Sequence, residues 1–520
     1  MTNKCLIFCL CFYVLSGHNQ VLFAQDNKSN DLFEKHFNYK SLSPLQKHIF
    51  DGFIEEELPH GTALILDEKA GSRNKMRLAN ALFYRNQKGD IQKAISILKW
   101  IFTLQNLDET SKDYAVWRGD SKPTNNYDQN MREFIGTDLI VVYHKYRNTL
   151  PTDVKKDLEI CLIRAAKGAL MRNVNPDYNN ISIMSSFMME YVGTAFKIPE
   201  LQKAGIEKAK AIFANFQKYN TLCEYNSPTY YGVDFVGLAL WRELSFSTEL
   251  KAMGKTLEKE LWLDLAGFYN ANLQNICGPY LRSYGIDMKK YNAIVGIWIA
   301  AAVDNSQIAT IPENGVHDEC NFIVPILELG ISMPMKALEQ FKKFDTPHFI
   351  SRTTSNYYEG DRLKKVTAYI QKDWMMGGLW GNRKVSHILK TGTIHWQSLA
   401  GDIGWLFIPG EGKTNIKVDS TKMEIYLADP LAKTFHLFVY SKNSSFENFK
   451  DTIWTLSPMT LGIKTTLKRA NTEVLSKTLI DTEGVGTKDY PFVIKVEYAI
   501  PENWNMKEPL LNITPNYKNE

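Results

Sequence analysis

The sequence predicts an α+β chain in two parts, an N-terminal (α/α) toroid followed by an antiparallel β-sandwich domain. Three observations predict it. A short phrase recurs four times inside apolar, helix-like runs: an aromatic or aliphatic residue, then Ile or Val, then Gly. It reads Phe134-Ile135-Gly136, Tyr191-Val192-Gly193, Phe235-Val236-Gly237 and Ile294-Val295-Gly296. The glycines fall 57, 44 and 59 residues apart, the length of a helical hairpin with its connections, and repeats of that length mark stacked or ring-like helical arrays. A polar, aromatic-rich cluster precedes each copy: TNNYDQN, DYNNIS, EYNSPTYY and LRSYGIDM. Finally, the periodicity of apolar residues changes from helical to strand-like near residue 345.

The first segment, residues 1–24, reads as an export signal. Lys4 supplies positive charge, CLIFCLCFYVLS an apolar stretch, and VLFAQ a cleavage position after Ala24. The stretch is too short for a membrane span, and no small residue precedes Cys9 or Cys11 to suggest lipidation. The expectation is a protein exported across the inner membrane of a bacterium, into the periplasm, without membrane insertion.

Residues 30–345 form the expected toroid. QKAISILKWIFTL, TDLIVVYHKYRNTL, VKKDLEICLIRAAKGALM and EKELWLDLAGFYNANL place apolar residues at three- and four-residue spacing. Pro and Gly punctuate them in KPTNN, NVNPDYNN, NSPTYYG and GPYLRSYG. If each hairpin carries its Gly motif on an inner helix, the small residue lets inner helices crowd the ring axis. Each cluster then lies at an inner-helix N-terminus, on one rim, where backbone N–H groups favour anions. Residues 346–515 form the expected β-sandwich, from short β-branched and aromatic runs such as VTAYI, GWLFI, TFHLFVY, IWTL and FVIKVEYAI.

Net charge is +4, from 61 basic and 57 acidic residues without long runs, which argues against a nucleic-acid partner. Beyond the signal, the cysteines are Cys161, Cys223, Cys277 and Cys320. Their spacing matches no zinc pattern, so they read as buried thiols inside helices, with a Cys223–Cys277 disulfide as the alternative. No cofactor is implied, while Asp and Asn side chains on the rim leave calcium an open alternative. No P-loop, dinucleotide fingerprint, HExxH or GxSxG motif occurs in a supporting context.

The clusters carry the residues suited to chemistry on an acidic sugar: Asn126, Asn179-Asn180, Asn226 with Tyr230-Tyr231, and Arg282 with Tyr284 and Asp287. Trp117-Arg118, in VWRGD, offers a stacking platform and a carboxylate partner. His317, in ENGVHDEC, is the histidine in the most site-like context. Each also has an ordinary structural use: Asn caps helices and satisfies turns, Tyr fills cores, and Arg282 could pair with Asp287. Their joint spacing is what points to a site.

In layout and in this Asn, Tyr, Arg order the chain resembles the toroid-type polysaccharide lyases, such as the chondroitin AC and hyaluronate lyases and heparinase II. The resemblance spans most of the mature length in layout but is confined to short motifs in sequence. It implies β-elimination at a uronic acid of an acidic polysaccharide or oligosaccharide, glucuronate-linked glycans such as rhamnose–glucuronate among them. Asn179 or Asn180 would match the family's Asn, Tyr230 or Tyr231 its Tyr, and Arg282 its Arg. The family's His has no counterpart in the second hairpin, where Asn226 and Ser227 stand, and His317 is the nearest substitute. The chemistry needs the uronate charge neutralised so that the C5 proton becomes acidic, and a Tyr whose ionisation an Arg favours can then move protons. Tyr284 is a second candidate acid. Two rivals remain: an inverting glycoside hydrolase, which needs carboxylates roughly 6.5–9.5 Å apart, for which Glu224, Asp234, Asp287 and Asp318 are available, and a non-catalytic glycan-binding protein.

Overall fold

The computed structural model describes residues 31–518 except 60–62, 68–69, 123–126, 292, 306–317, 355–362, 382–385, 399–400, 443, 476–489 and 491–492. The expected export signal lies outside the described residues.

The helices run α1 (Pro44–Glu57), α2 (Ser72–Arg85), α3 (Asp90–Thr103), α4 (Met131–Tyr146), α5 (Thr152–Arg172), α6 (Asn179–Ala195), α7 (Pro199–Tyr219), α8 (Tyr230–Leu244), α9 (Thr248–Phe268), α10 (Ile294–Val303), α11 (Ile323–Leu329) and α12 (Met335–Lys342). Helix α1 starts on a capping box, Ser43 with Gln46, and Pro44 at its first position. Helices α2, α5, α7 and α10 stop at Asn86, Asn173, Asn220 and Asp304, each left-handed, a conformation that short polar side chains tolerate. Among the described residues no helix is long and apolar enough to cross a membrane.

Hairpins α2/α3, α4/α5, α6/α7 and α8/α9 each pair an inner with an outer helix. The inner ones pack in sequence, α2 on α4, α4 on α6, α6 on α8 and α8 on α10, while short α11 touches both α8 and α2. Burial follows this arrangement. Every residue of α6 from Asn179 to Gly193 is buried, whereas α7 buries one stripe, as an outer helix with a solvent face must.

The glycine phrase works as expected at two of its copies. A Cβ on Gly136 would lie 2.6 Å from Met188 Sδ, and one on Gly237 2.6 Å from Ile183 Cγ2, both contacts with the neighbouring inner helix. Gly193 serves a different contact. Its Cβ would fall 2.2 Å from the backbone N of Gln202, so it tightens the α6/α7 hairpin itself.

Two short ribbons belong to the helical part: β1 (Leu32–Lys35) with β4 (Ile331–Pro334), and β2 (Tyr269–Asn270) with β3 (Asn275–Ile276). The remaining strands are β5 (His348–Thr354), β6 (Lys364–Ile370), β7 (Trp374–Trp380), β8 (Ser386–Gln397), β9 (Ile403–Gly410), β10 (Thr414–Val418), β11 (Met423–Leu427), β12 (Thr434–Tyr440), β13 (Ile453–Leu456), β14 (Met459–Lys464), β15 (Arg469–Leu475), β16 (Val493–Ala499) and β17 (Pro509–Tyr517). They form an antiparallel eight-stranded sheet in the order β15-β16-β12-β9-β8-β7-β6-β5 and a five-stranded sheet in the order β10-β11-β17-β14-β13.

The larger sheet is covered on both faces, because alternate residues of a strand point to opposite sides. On β9, Ile403, Trp405 and Phe407 join the core shared with the helices, while Leu406 and Ile408 face the five-stranded sheet. That double burial explains why GWLFI reads as a continuous apolar run rather than an alternating one.

Where the two parts meet, Gly377 of β7 lies against Gly278, whose carbonyl oxygen would be 1.7 Å from a Cβ on Gly377. Backbone cannot yield as a side-chain tip can. We expect Gly377→Ala to cost about 1–3 kcal/mol or more by overpacking, measured by urea unfolding. Gly462→Ala, whose Cβ meets nothing nearer than 3.6 Å, is the control that should stay close to wild type.

Candidate active site

The N-terminal ends of α4, α6 and α8 and the loop 277–291 converge, and the polar clusters meet there. Loop 220–229 enters α8 with Asn226 in a left-handed conformation (φ 50°). The Asn226 amide donates to the carbonyls of Cys277 at 2.7 Å and Pro279 at 2.9 Å, tying the third cluster's loop to that of Arg282. Ser227 Oγ adds a clamp, donating to Arg282 O at 2.6 Å and accepting the N–H of Tyr230 at 2.9 Å. Asn226 and Ser227, which stand where a His was sought, thus hold two loops together.

Glu224 is the hub. Its Oε2 accepts the backbone N–H of Asn180 at 3.0 Å and the Asn180 side-chain amide at 2.6 Å, so a carboxylate sits at the N-terminus of α6, where the helix dipole favours it. Asn179 Oδ1 accepts the N–H groups of Cys223 at 2.7 Å and Glu224 at 3.4 Å. Both asparagines are buried; Asn179 Oδ1 and the Asn180 amide place Glu224, while the Asn179 amide donates to Pro176 O at 3.2 Å. The other Glu224 oxygen pairs with Arg282 Nη1. Arg282 does not pair with Asp287, which is buried apart from it, accepts the N–H of Lys289 at 2.8 Å and is pushed up to about 6 by burial.

Arg282 also donates from Nη2 to Tyr230 Oη at 2.5 Å, with its guanidinium 3.5 Å from the Tyr230 ring centroid. Tyr230 and Tyr284 share a hydrogen bond of 2.7 Å between their hydroxyls. Burial pushes the Tyr230 hydroxyl above the ordinary tyrosine range, and Arg282 only partly opposes it. The expectation that Arg alone would lower that Tyr is therefore corrected: desolvation outweighs the cation. Burial pulls Arg282 down, but Glu224 and Tyr230 more than offset this and hold it above its usual value.

The network extends toward α4. Tyr178 also lies within hydrogen-bonding reach of Arg282 and accepts from the Asn130 amide at 3.1 Å. Arg172 donates to Asn130 Oδ1 at 2.8 Å and to Glu133 at 3.0 Å. Tyr178 and Asn130 lie inside the DYNNIS and TNNYDQN clusters, so cluster membership was the available signal for them. Asn126 and His317 lie outside the described residues.

Adjacent helical residues point about 100° apart, which separates Tyr231 from Tyr230. Tyr231 is fully buried, with its hydroxyl 3.5 Å from Asp264. Asp264 also accepts from Tyr225 at 3.0 Å and Arg352 at 3.4 Å. Trp117 is fully buried in the helical core, not displayed as a platform. Arg118 donates to Lys122 O at 3.3 Å, and its carbonyl accepts from Ser72. No contact among the described residues joins Trp117 or Arg118 to the Glu224 hub.

The division of exposure matters most. Tyr284 is 46% exposed and the Arg282 side chain 26%, whereas Glu224 is 4% and Asp234, one turn into α8, is fully buried. Among the described residues neither Asp234 oxygen has a hydrogen-bond partner. Burial and the Glu224 charge push it well above the ordinary carboxyl range, against the pull of Arg282. The four described cysteines are buried and form no disulfide among the described residues, and only Cys161 lies in an α-helix. No group of three His, Cys, Asp or Glu side chains gathers as a metal set among the described residues.

Residues 64–327 match a family described as a domain of unknown function, DUF8769. The chain belongs to the DUF8769 family. The match contains all four clusters and therefore every described residue of the Glu224 network. No curated protein matches this DUF8769 chain. Among solved structures it is similar to a heparinase III with methylated lysines, at 12% identity and a TM-score of 0.38, over 93% of this chain and 86% of that one. It is also similar to a glycoside hydrolase, at 8% identity and a TM-score of 0.31, over 94% and 77%.

Proposed function

We propose that this DUF8769 protein is an exported, periplasmic enzyme that degrades an acidic glycan by β-elimination at a uronic acid. One observation carries the reading: the groups that face solvent in the cluster are Arg282, Tyr230 and Tyr284, while the carboxylates Glu224 and Asp234 lie buried beneath them. An inverting hydrolase needs two carboxylates presented to the sugar, and those here are turned inward.

The residues then take the following roles. Arg282 neutralises the substrate carboxylate, so that the C5–H bond can break as electron density moves onto the acid group. Tyr230 Oη accepts from Arg282, which leaves its own proton directed at Tyr284 or at a leaving oxygen. The hydrogen-bonded tyrosine pair supplies one hydroxylate to take the C5 proton and one hydroxyl to protonate O4 as the C4–O4 bond breaks and the C4=C5 double bond forms. Asn179 and Asn180 act at one remove, as positioning residues for Glu224, which anchors Arg282. His317 and Asn126 are further candidates from the same clusters. No cofactor is required by this scheme.

Incubation with a panel of acidic polysaccharides, glucuronate-linked glycans included, tests the reading. The expected result is a rise in ultraviolet absorbance from the unsaturated uronate at the new chain end. Reducing sugar released without that absorbance would replace the lyase reading with the hydrolase.

A further inference from the structure

A cavity of about 650 Å³ lies between α9, α12 and β5, where the helical and β parts meet. None of the Glu224, Arg282, Tyr230 or Tyr284 side chains lines it. Its walls carry three cations, Lys336, Lys343 and Arg352, facing three carboxylates, Glu260, Asp264 and Asp345. Phe349, 49% exposed, and Phe344 add apolar ring faces. His348 builds one wall, bonded through Nε2 to Gly267 O and through Nδ1 to Thr346 O, each at 2.8 Å.

This composition selects a class of ligand. A multiply charged anion such as phosphate would be attracted by the cations but repelled by the equal number of carboxylates. A purely apolar ligand would strand both sets of charges without water. A sugar carrying one carboxylate suits both: its acid group meets Lys343 or Arg352, its hydroxyls donate to Glu260, and the C–H face of its ring covers Phe349. We propose that this cavity is a second binding site, for uronic-acid units of the glycan, separate from the Tyr230 cluster. The proposal rests on the acidic-glycan reading above.

The cavity is also wired to the candidate active site. Asp264 in its wall accepts from Tyr225 and Tyr231, which directly follow Glu224 and Tyr230 in the chain. Occupancy that draws Arg352 away from Asp264, now 3.4 Å apart, loads the first turn of α8 from behind.

The test uses the full chain carrying Tyr230→Phe, so that ligand is not consumed, titrated calorimetrically with a saturated glucuronate-containing oligosaccharide. Two binding events are expected. Adding Phe349→Ala or Lys343→Ala, both at exposed positions, should weaken one event by roughly tenfold or more and leave the other unchanged. In the otherwise unsubstituted enzyme, either change should slow turnover of long polymer more than that of short oligosaccharides. A single event insensitive to both substitutions overturns the second site while leaving the catalytic reading standing. Absence of turnover on every acidic glycan by the unsubstituted protein overturns the catalytic reading, and with it the ligand class proposed here.

Discussion

Tyr230→Phe is expected to lower kcat by roughly 10²–10⁴-fold, the usual worth of a positioned proton-transfer group, while the protein stays folded. The substitution removes one hydroxyl and keeps the ring against Arg282. Tyr231→Phe is the matched comparison: it removes a fully buried hydroxyl whose contact with Asp264 is long, at 3.5 Å. We expect activity within a few-fold of wild type and a stability loss of about 1 kcal/mol. Steady-state kinetics and urea unfolding of the two variants check this, and the opposite pattern would move the chemistry to the wrong side of α8 for this proposal. The same hydroxyl sets the pH dependence. Burial raises Tyr230 above the ordinary value of about 10, so its hydroxylate is the minor form at neutral pH and grows as pH rises. We therefore expect kcat/KM to climb from about pH 7 toward about pH 10. A maximum below pH 7 would point away from the tyrosine pair as the source of the base.

Glu224→Ala should be the most disruptive single change in the site. It leaves the Arg282 guanidinium without its anion and two Asn180 donors without their acceptor. Breaking a buried ion pair from one side costs about 3–5 kcal/mol. The 26% exposure of Arg282 lets water recover part of that, so the lower end is expected. Glu224→Gln keeps one carbonyl acceptor and should recover some stability. It should not restore activity, because a neutral amide does not hold Arg282 against Tyr230. Urea unfolding with parallel activity measurements separates the two effects. Wild-type stability and turnover in both variants would mean that Arg282 is placed by something other than Glu224.

Much of the architecture was legible in order along the chain. The glycine phrases lie in α4, α6, α8 and α10, because a residue buried on a crowded helix must be small whichever neighbour it meets. Which neighbour it meets was not legible: Gly136 on α4 and Gly237 on α8 both face α6, the inner helix between them, while Gly193 faces its own hairpin partner. The polar clusters point to the neighbourhood of the site, yet Asn180, a substrate-binding candidate by sequence, is occupied by Glu224. Trp117 had the composition of a platform and the burial of a core residue.

Periodicity, breakers and the repeated clusters are local signals, spelled within one or two turns of chain, and by themselves they determined the order of helices, the change to strands near residue 345 and the segments that carry polar chemistry. The hub needed contacts between residues far apart in sequence: Glu224 with Asn180 and Arg282, and Tyr230 with Tyr284. Those contacts, and the choice of Tyr230 over Tyr231, depend on which helix face turns inward once the ring closes. Only the tertiary structure decides that, because desolvation and pairing are properties of the packed neighbours and not of the residue itself.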